Sequence, residues 1–130
     1  MRWRMRKDHS KKKRHSWMHV GGPMLIGRND GRYGEYRRIQ KETGVSPDEC
    51  WNIDKTFACF MVPRLKMFRD MTCGYPGALS SMEEWHGILD RVIDGLELMS
   101  EDRCVYTDGE RSRIDDALDL FGEWIQGMWW

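Results

Sequence analysis

A repeat of apolar residues at every third or fourth position begins near residue 46 and continues to the end of the 130-residue chain. This spacing is that of one face of an α-helix, and it constrains the fold more than any other feature. The segment SPDE at residues 46–49 is typical of a helix start, because Ser46 can cap, Pro47 suits the first turn, and Glu49 completes a capping box. Gly74 then predicts the end of this first helix.

Two further helices follow at the same spacing. The second starts at SSMEE, residues 80–84, where either serine has a glutamate three residues later. Its apolar face contains Trp85, Ile88, Leu89, Val92, Ile93, Leu96 and Met99. The third starts near Asp108 and its apolar face contains Ile114, Ala117, Leu118, Phe121, Trp124, Ile125 and Met128. Three long helices with short connections predict an all-α fold, a small antiparallel helical bundle over residues 46–130.

Residues 1–45 differ from the bundle in composition and charge. Residues 1–41 contain thirteen Lys and Arg against three acidic residues, whereas residues 42–130 contain eight against eighteen. Glycine-rich turn signals, such as GGP at residues 21–23, predict irregular structure with a short helix around Tyr33–Lys41. We therefore predict a basic, irregular N-terminal arm at residues 1–45, joined to an acidic bundle domain at residues 46–130.

Several classes of protein are disfavoured by what the chain lacks. No long apolar stretch follows the basic N-terminus, and none is long enough to span a bilayer, so we expect a soluble cytoplasmic protein without a membrane partner. No catalytic, metal or cofactor signature is recognisable. The cysteines lack C-x-x-C spacing, so we expect them to be small hydrophobic side chains rather than disulfides or metal ligands: Cys50, Cys59, Cys73 and Cys104.

The first helix has two apolar series, and each contains one charged residue. The first series is Trp51, Asp54, Ala58, Met61, Leu65 and Phe68. The second series is Ile53, Phe57, Phe60, Arg64, Met67 and Met71. Asp54 and Arg64 are about 15 Å apart along a helix, too far to pair. We expect both to face the space between helices, each requiring a side-chain partner or a ligand, with Pro63 kinking the helix immediately before Arg64.

Four motifs in the bundle give the chain a resemblance to a known family. They are WNID at residues 51–54, PRLKMF at 63–68, GYP at 74–76 and EEWHGILD at 83–90, with LDLFGEWIQGMWW at the C-terminus. This pattern resembles a family of small helical proteins encoded by tailed bacteriophages, over about residues 50–130. Val92 stands where the family pattern has methionine, and the arm matches nothing in it.

A phage origin implies a non-enzymatic accessory protein in the host cytoplasm that counteracts a host defence system by binding. It would either sequester a nucleotide-type signal or block a defence protein. Aromatic faces can stack on a base and cations can hold a phosphate. Core packing is the ordinary role of aromatic residues at this spacing. The predicted ligand-binding residues are Trp51, Asp54, Arg64, Lys66, Tyr75 and Trp85.

The alternative is nucleic-acid binding through the arm, where tryptophan alternates with basic residues. The residues concerned are Arg2, Trp3, Arg4, Lys11, Lys12, Lys13 and Arg14. A solvated tail is the simpler interpretation of the same run. An enzyme is disfavoured, because carboxylates such as Glu84 and Asp94 are better explained as a helix-start charge and a solvated face.

The chain ends in two tryptophans, Trp129 and Trp130. Two such side chains carry a large apolar area that is stabilising to bury. They either close the bundle against the first helix or form the contact of a homo-oligomer.

Overall fold

The computed structural model describes residues 26–129 and divides the chain after Asp48 into two compact units. In the first unit, helix α1 spans Tyr33–Thr43, so the short helix predicted around Tyr33–Lys41 is present. The helix ends at Gly44, whose φ of 82° suits a residue without a Cβ atom. The proposed nucleic-acid-binding residues of the arm, 2–14, lie outside the described residues.

The SPDE segment does not start the first long helix, and that prediction is wrong. The buried Ser46 hydroxyl donates to Asp48 Oδ1, and Asp48 Oδ2 accepts a 2.9 Å hydrogen bond from the Ile26 N–H. Pro47–Cys50 forms a 3₁₀ turn. The carboxylate of Asp48, the last residue of the first unit, thus binds two other residues of that unit, Ser46 and Ile26.

The second unit contains three long helices, which confirms the all-α bundle. Helix α2 spans Ile53–Met71, α3 spans Met82–Ser100 and α4 spans Asp108–Trp124, followed by a 3₁₀ turn at Ile125–Gly127. Gly74 was expected to stop α2, but the helix ends earlier. Thr72 is extended, its side chain is buried, and its hydroxyl donates to the Gly74 carbonyl at 3.1 Å.

The starts of α3 and α4 follow local capping rules. Ser81 caps α3 by accepting a hydrogen bond from the Glu84 N–H at 3.1 Å, as the SSMEE segment predicts. Thr107 and Glu110 form a complete capping box at α4, one residue before the predicted start at Asp108.

Helix α3 lies between α2 and α4 and supplies most of the core. Its buried residues are Trp85, Leu89, Val92, Ile93, Gly95, Leu96, Leu98 and Met99. They include every residue of the predicted face except Ile88, which is partly buried. Helix α2 adds Ala58 and Leu65, and α4 adds Ile114 and Ala117. Leu118 and Ile125 were predicted to face the core but are exposed, since the α4 surface that meets α3 is centred on Ala117.

Ion pairs between helices show the antiparallel order. Lys66 of α2 pairs with Glu97 of α3, and Arg69, later in α2, pairs with Asp90, earlier in α3. Likewise Arg91 pairs with Asp116, and Asp94 with the earlier Arg113. Each neighbouring pair of helices is therefore antiparallel, as predicted for short connections.

Candidate functional site

The six predicted ligand-binding residues do not form one pocket. Trp85 is fully buried, and its ring packs edge-on against Phe68 and Trp124 at 6.3 and 6.0 Å between centroids. This indole is part of the core, with no face for a ligand. Lys66 is exposed and forms an ion pair with Glu97 of α3. The set therefore includes core and surface residues, and its role in binding stays a prediction.

Asp54 is exposed, so the expectation that it faces the space between helices is wrong. It lies in the first turn of α2, where its Oδ1 accepts the Lys55 N–H at 2.8 Å. The first turn of a helix has unpaired N–H groups and a positive partial charge, and both favour a carboxylate. Asp54 thus has a local structural role.

Arg64 is also exposed, and its predicted position between helices is wrong for the same reason. Pro63 lacks the N–H that would donate to Cys59, yet α2 is continuous from Ile53 to Met71. One guanidinium N–H of Arg64 donates to the Phe60 carbonyl at 2.7 Å, and Arg64 Cζ lies 3.6 Å from the centre of the Phe60 ring. The arginine therefore folds back over its own helix at the proline.

The second apolar series of α2 is largely exposed instead of packed in the core. Ile53, Met67 and Met71 have relative exposures of 62, 64 and 50%. Phe60 and Phe57 are partly buried, and the Phe57 ring meets Phe121 of α4 at 5.3 Å between centroids. We call five residues of this series, all exposed except the partly buried Phe60, the outer face of α2: Ile53, Phe60, Arg64, Met67 and Met71. From Ile53 to Met71 it is about 27 Å long.

Half-exposed aromatic residues lie beyond both ends of α2. Trp51 precedes the helix and Tyr75 follows it, with relative exposures of 50 and 46%. The Tyr75 hydroxyl is 3.5 Å from the Ser80 carbonyl. The two rings are separated by the whole length of α2, so they cannot stack on the same base.

Arg64 differs from most arginines of the second unit in its partners. Arg69, Arg91 and Arg113 each bind a carboxylate of a neighbouring helix. Within residues 49–129, the arginines with no carboxylate at ion-pair distance are Arg64 and Arg111. The outer face of α2 thus combines exposed apolar side chains with a cation that has no acidic partner within residues 49–129.

No sequence pattern predicted the polar cluster around Lys55. Its Nζ lies 2.6 Å from the Glu101 carbonyl, 2.9 Å from that of Arg103 and 3.3 Å from that of Met99. Tyr106 Oη is 3.2 Å away. Carbonyls at the end of a helix carry negative partial charge and have no partner within the helix, so an ammonium group stabilises them. Lys55 therefore anchors α2 to the α3–α4 connection.

Arg103 belongs to the same connection. It binds Glu101 at 2.7 Å and Glu110, and its guanidinium lies 4.7 Å from the Tyr106 ring centre. The hydrogen bond from Arg103, with those from Thr107, lowers the pKa of Glu110 to about 2. Glu110 therefore serves both the capping box of α4 and the anchoring of the connection.

The titratable groups that could suggest an active site have structural partners. The Arg113 guanidinium holds the pKa of Asp94 below its ordinary value, and Glu84 Oε2 accepts the Ser80 N–H at 2.8 Å. In the part of the chain that the structure describes, no group of three or more His, Cys, Asp or Glu side chains could hold a metal ion. All four cysteines, which we expected to be small hydrophobic side chains, are free and exposed, so none of them is part of the core.

Comparisons with known proteins returned no relatives: no protein-family model, curated protein or solved structure matches the chain. Among residues 26–129, none of the helices has both the length and the hydropathy that crossing a membrane requires.

Proposed function

We propose that this protein is a non-enzymatic accessory protein of a tailed bacteriophage, and that it counteracts a host defence system in the host cytoplasm by binding a defence protein. The observation that carries the proposal is the outer face of α2, with three strongly exposed apolar side chains and an arginine that has no acidic partner among the described residues. The WNID, PRLKMF, GYP and EEWHGILD motifs support the phage origin through the family resemblance.

The exposed apolar residues favour a protein as the partner. Single exposed apolar residues are common on soluble domains, but a periodic stripe along one helix is typical of an interaction surface. Met67 and Met71 add flexible, polarisable side chains that adapt to a partner's shape. A nucleotide would need stacking and phosphate contacts within one pocket, whereas Trp51 and Tyr75 lie at opposite ends of α2 and Trp85 is buried. Blocking a defence protein is therefore the better supported of the two modes.

The test is a plating assay in bacteria that each carry one defence system from a panel. Expression of the wild-type protein is expected to restore plaque formation by a restricted phage in at least one strain. Met67→Glu places a charge on the outer face of α2 and is expected to abolish the effect, since burying an unpaired carboxylate is costly. Val105→Glu is the matched control, because Val105 is 80% exposed and lies outside α2.

Melting curves of both variants establish that they are folded. A panel in which the wild-type protein restores no plaques contradicts the proposed function. Restoration that survives Met67→Glu contradicts the assignment of the surface.

A second candidate function, nucleic-acid binding through the arm, is favoured by the charge of residues 1–41. An arm that neutralises several phosphates would lose affinity steeply between low and moderate salt. Filter binding with labelled single-stranded DNA measures this, and deletion of residues 1–20 is the matched control. Absence of any affinity at low salt removes this candidate.

A further inference from the structure

Helix α2 has two apolar seams, and in the described part of the second unit only one of them packs into the core. The inner seam, residues Ala58, Met61, Leu65 and Phe68, packs towards the core and α3. The outer face repeats at the same interval: Ile53, Phe60 and Met67 are spaced by seven residues, as are Arg64 and Met71. A seven-residue repeat of two apolar positions is the pattern by which one helix packs lengthwise against another. The outer face therefore has the periodicity of a helix-packing seam.

Arg64 lies near the middle of this seam and determines which helices fit it. A helix that covers the seam removes the guanidinium from water, and a buried charge without a partner is costly. The Phe60 carbonyl satisfies one N–H, and no carboxylate in the described part of the second unit is at ion-pair distance from Arg64. The partner helix must therefore bring an acceptor, and a carboxylate matches a guanidinium best.

A second copy of this chain fits the seam poorly. If two α2 helices paired in parallel register, each Arg64 would face the other. If they paired antiparallel with full overlap about residue 62, the two Arg64 positions would be four residues apart, about 6 Å along the axis. Both arrangements bring like charges together in a desolvated contact, which disfavours self-association.

We propose that the outer face of α2 accepts an amphipathic α-helix of the partner protein, packed along the seam with an aspartate or glutamate opposite Arg64. This inference rests on the proposed function and specifies the chemistry of its partner. The apolar residues supply contact area, and the Arg64–carboxylate pair sets the register and excludes helices with a cation at that position.

The test uses fluorescently labelled synthetic helices of about three heptads. Two peptides have leucine at the seam positions and differ only at the central seam position, which is glutamate in one and lysine in the other. Fluorescence anisotropy with the full-length wild-type protein is expected to give at least about tenfold tighter binding of the glutamate peptide. Arg64→Glu is expected to reverse the preference. Arg111→Glu removes an exposed arginine of α4 and is expected to leave the preference unchanged.

Equal affinities, or no binding of either peptide, would overturn the proposal. So would a wild-type dimer in analytical ultracentrifugation that Met67→Glu converts to a monomer, because the occupant would then be a second copy. A reversible peptide preference without any restored plaques would contradict the proposed function and leave the helix-binding surface standing. Plaque restoration that Met67→Glu abolishes, without a peptide preference, would support the proposed function and contradict the binding of an acidic helix.

Discussion

At the residue scale, one glycine determines how closely α3 and α4 approach. A Cβ atom at Gly95 would collide with the Ala117 side chain and with the Arg113 carbonyl. The backbone atom cannot move away without shifting α4. By contrast, a Cβ atom at Gly87 of the same helix meets nothing within 4 Å. The two glycines differ in tertiary environment although both lie inside α3.

We expect Gly95→Ala to lower the free energy of unfolding by about 1–3 kcal/mol, because it overpacks the contact between α3 and α4. Gly87→Ala should instead raise it by about 0.5–1 kcal/mol, since alanine favours the helix. Urea unfolding followed by circular dichroism measures both. Equal effects of the two substitutions would contradict the close approach at Gly95.

Lys55 is the second residue whose importance depends on tertiary structure. Lys55→Met keeps most of the aliphatic stem but removes the donors to the carbonyls of Met99, Glu101 and Arg103. We expect a loss of about 1–3 kcal/mol in the free energy of unfolding, measured by urea titration. Lys66→Met is the matched control, because it breaks one exposed ion pair and should cost less than about 1 kcal/mol. Similar losses for both lysines would argue against the anchoring role.

At the element scale, α2 contains a proline that weakens it. Pro63 is exposed and lies inside the helix, so Cys59 lacks the usual N–H donor to its carbonyl. Pro63→Ala restores that donor and should raise the thermal midpoint, with a gain of up to about 3 kcal/mol. Gly87→Ala in α3 is the control, because it shows how much an ordinary gain in helix propensity raises the thermal midpoint. An unchanged or lower midpoint would mean that Pro63 is required for the packing of α2.

Glu110, in the first turn of α4, is predicted to make the stability of the fold sensitive to acid. The folded-state pKa of Glu110 is about 2, against 4.5 for a free glutamate. A depressed pKa means that its contribution to stability is fully present above about pH 4.5 and is lost as the pH falls towards 2. Wild-type stability should therefore decrease across this window more steeply than that of Glu110→Gln. Urea midpoints measured from pH 6 to pH 2.5 test this, and parallel curves would contradict it.

At the scale of the whole molecule, the buried apolar residues of the described chain all lie between Ala58 and Ala117. Helix α1 of the first unit contains no buried residue. Charge is also unevenly distributed, with a net +10 over residues 1–41 and −10 over residues 42–130, from thirteen basic against three acidic residues and eight against eighteen. The core of the second unit is thus built from a continuous stretch of the chain.

We therefore expect deletion of residues 1–20 to leave a cooperative thermal transition with little change in its midpoint. Differential scanning calorimetry of the truncated and full-length proteins measures this. Loss of the cooperative transition would place part of the N-terminal segment in the core.

The C-terminal tryptophans were expected either to close the bundle or to form a subunit contact. Trp129 is 77% exposed and does not close the bundle, so its role in a subunit contact stays a prediction. Trp130 lies outside the described residues.

The candidate site was predictable only in part. The sequence drew attention to Arg64 because it interrupts an apolar series, and it remains central to the proposed surface. The expectation that Arg64 is buried was wrong because both series of α2 are apolar, and periodicity does not indicate which one the rest of the chain will cover. Lys55 could not be identified, since its carbonyl partners are 44 to 48 residues away in sequence.

The amino-acid sequence by itself determined the three long helices, the approximate limits of α3 and α4, and the antiparallel order. These depend on local interactions: the spacing of apolar residues, the caps at Ser81 and Thr107, and short connections, which favour antiparallel neighbours. Only the tertiary structure decided that the Ala58–Leu65 seam of α2 faces inward while Ile53, Met67 and Met71 face solvent. That choice depends on the total area buried against α3 and α4, a sum over residues distant in sequence that no local pattern contains.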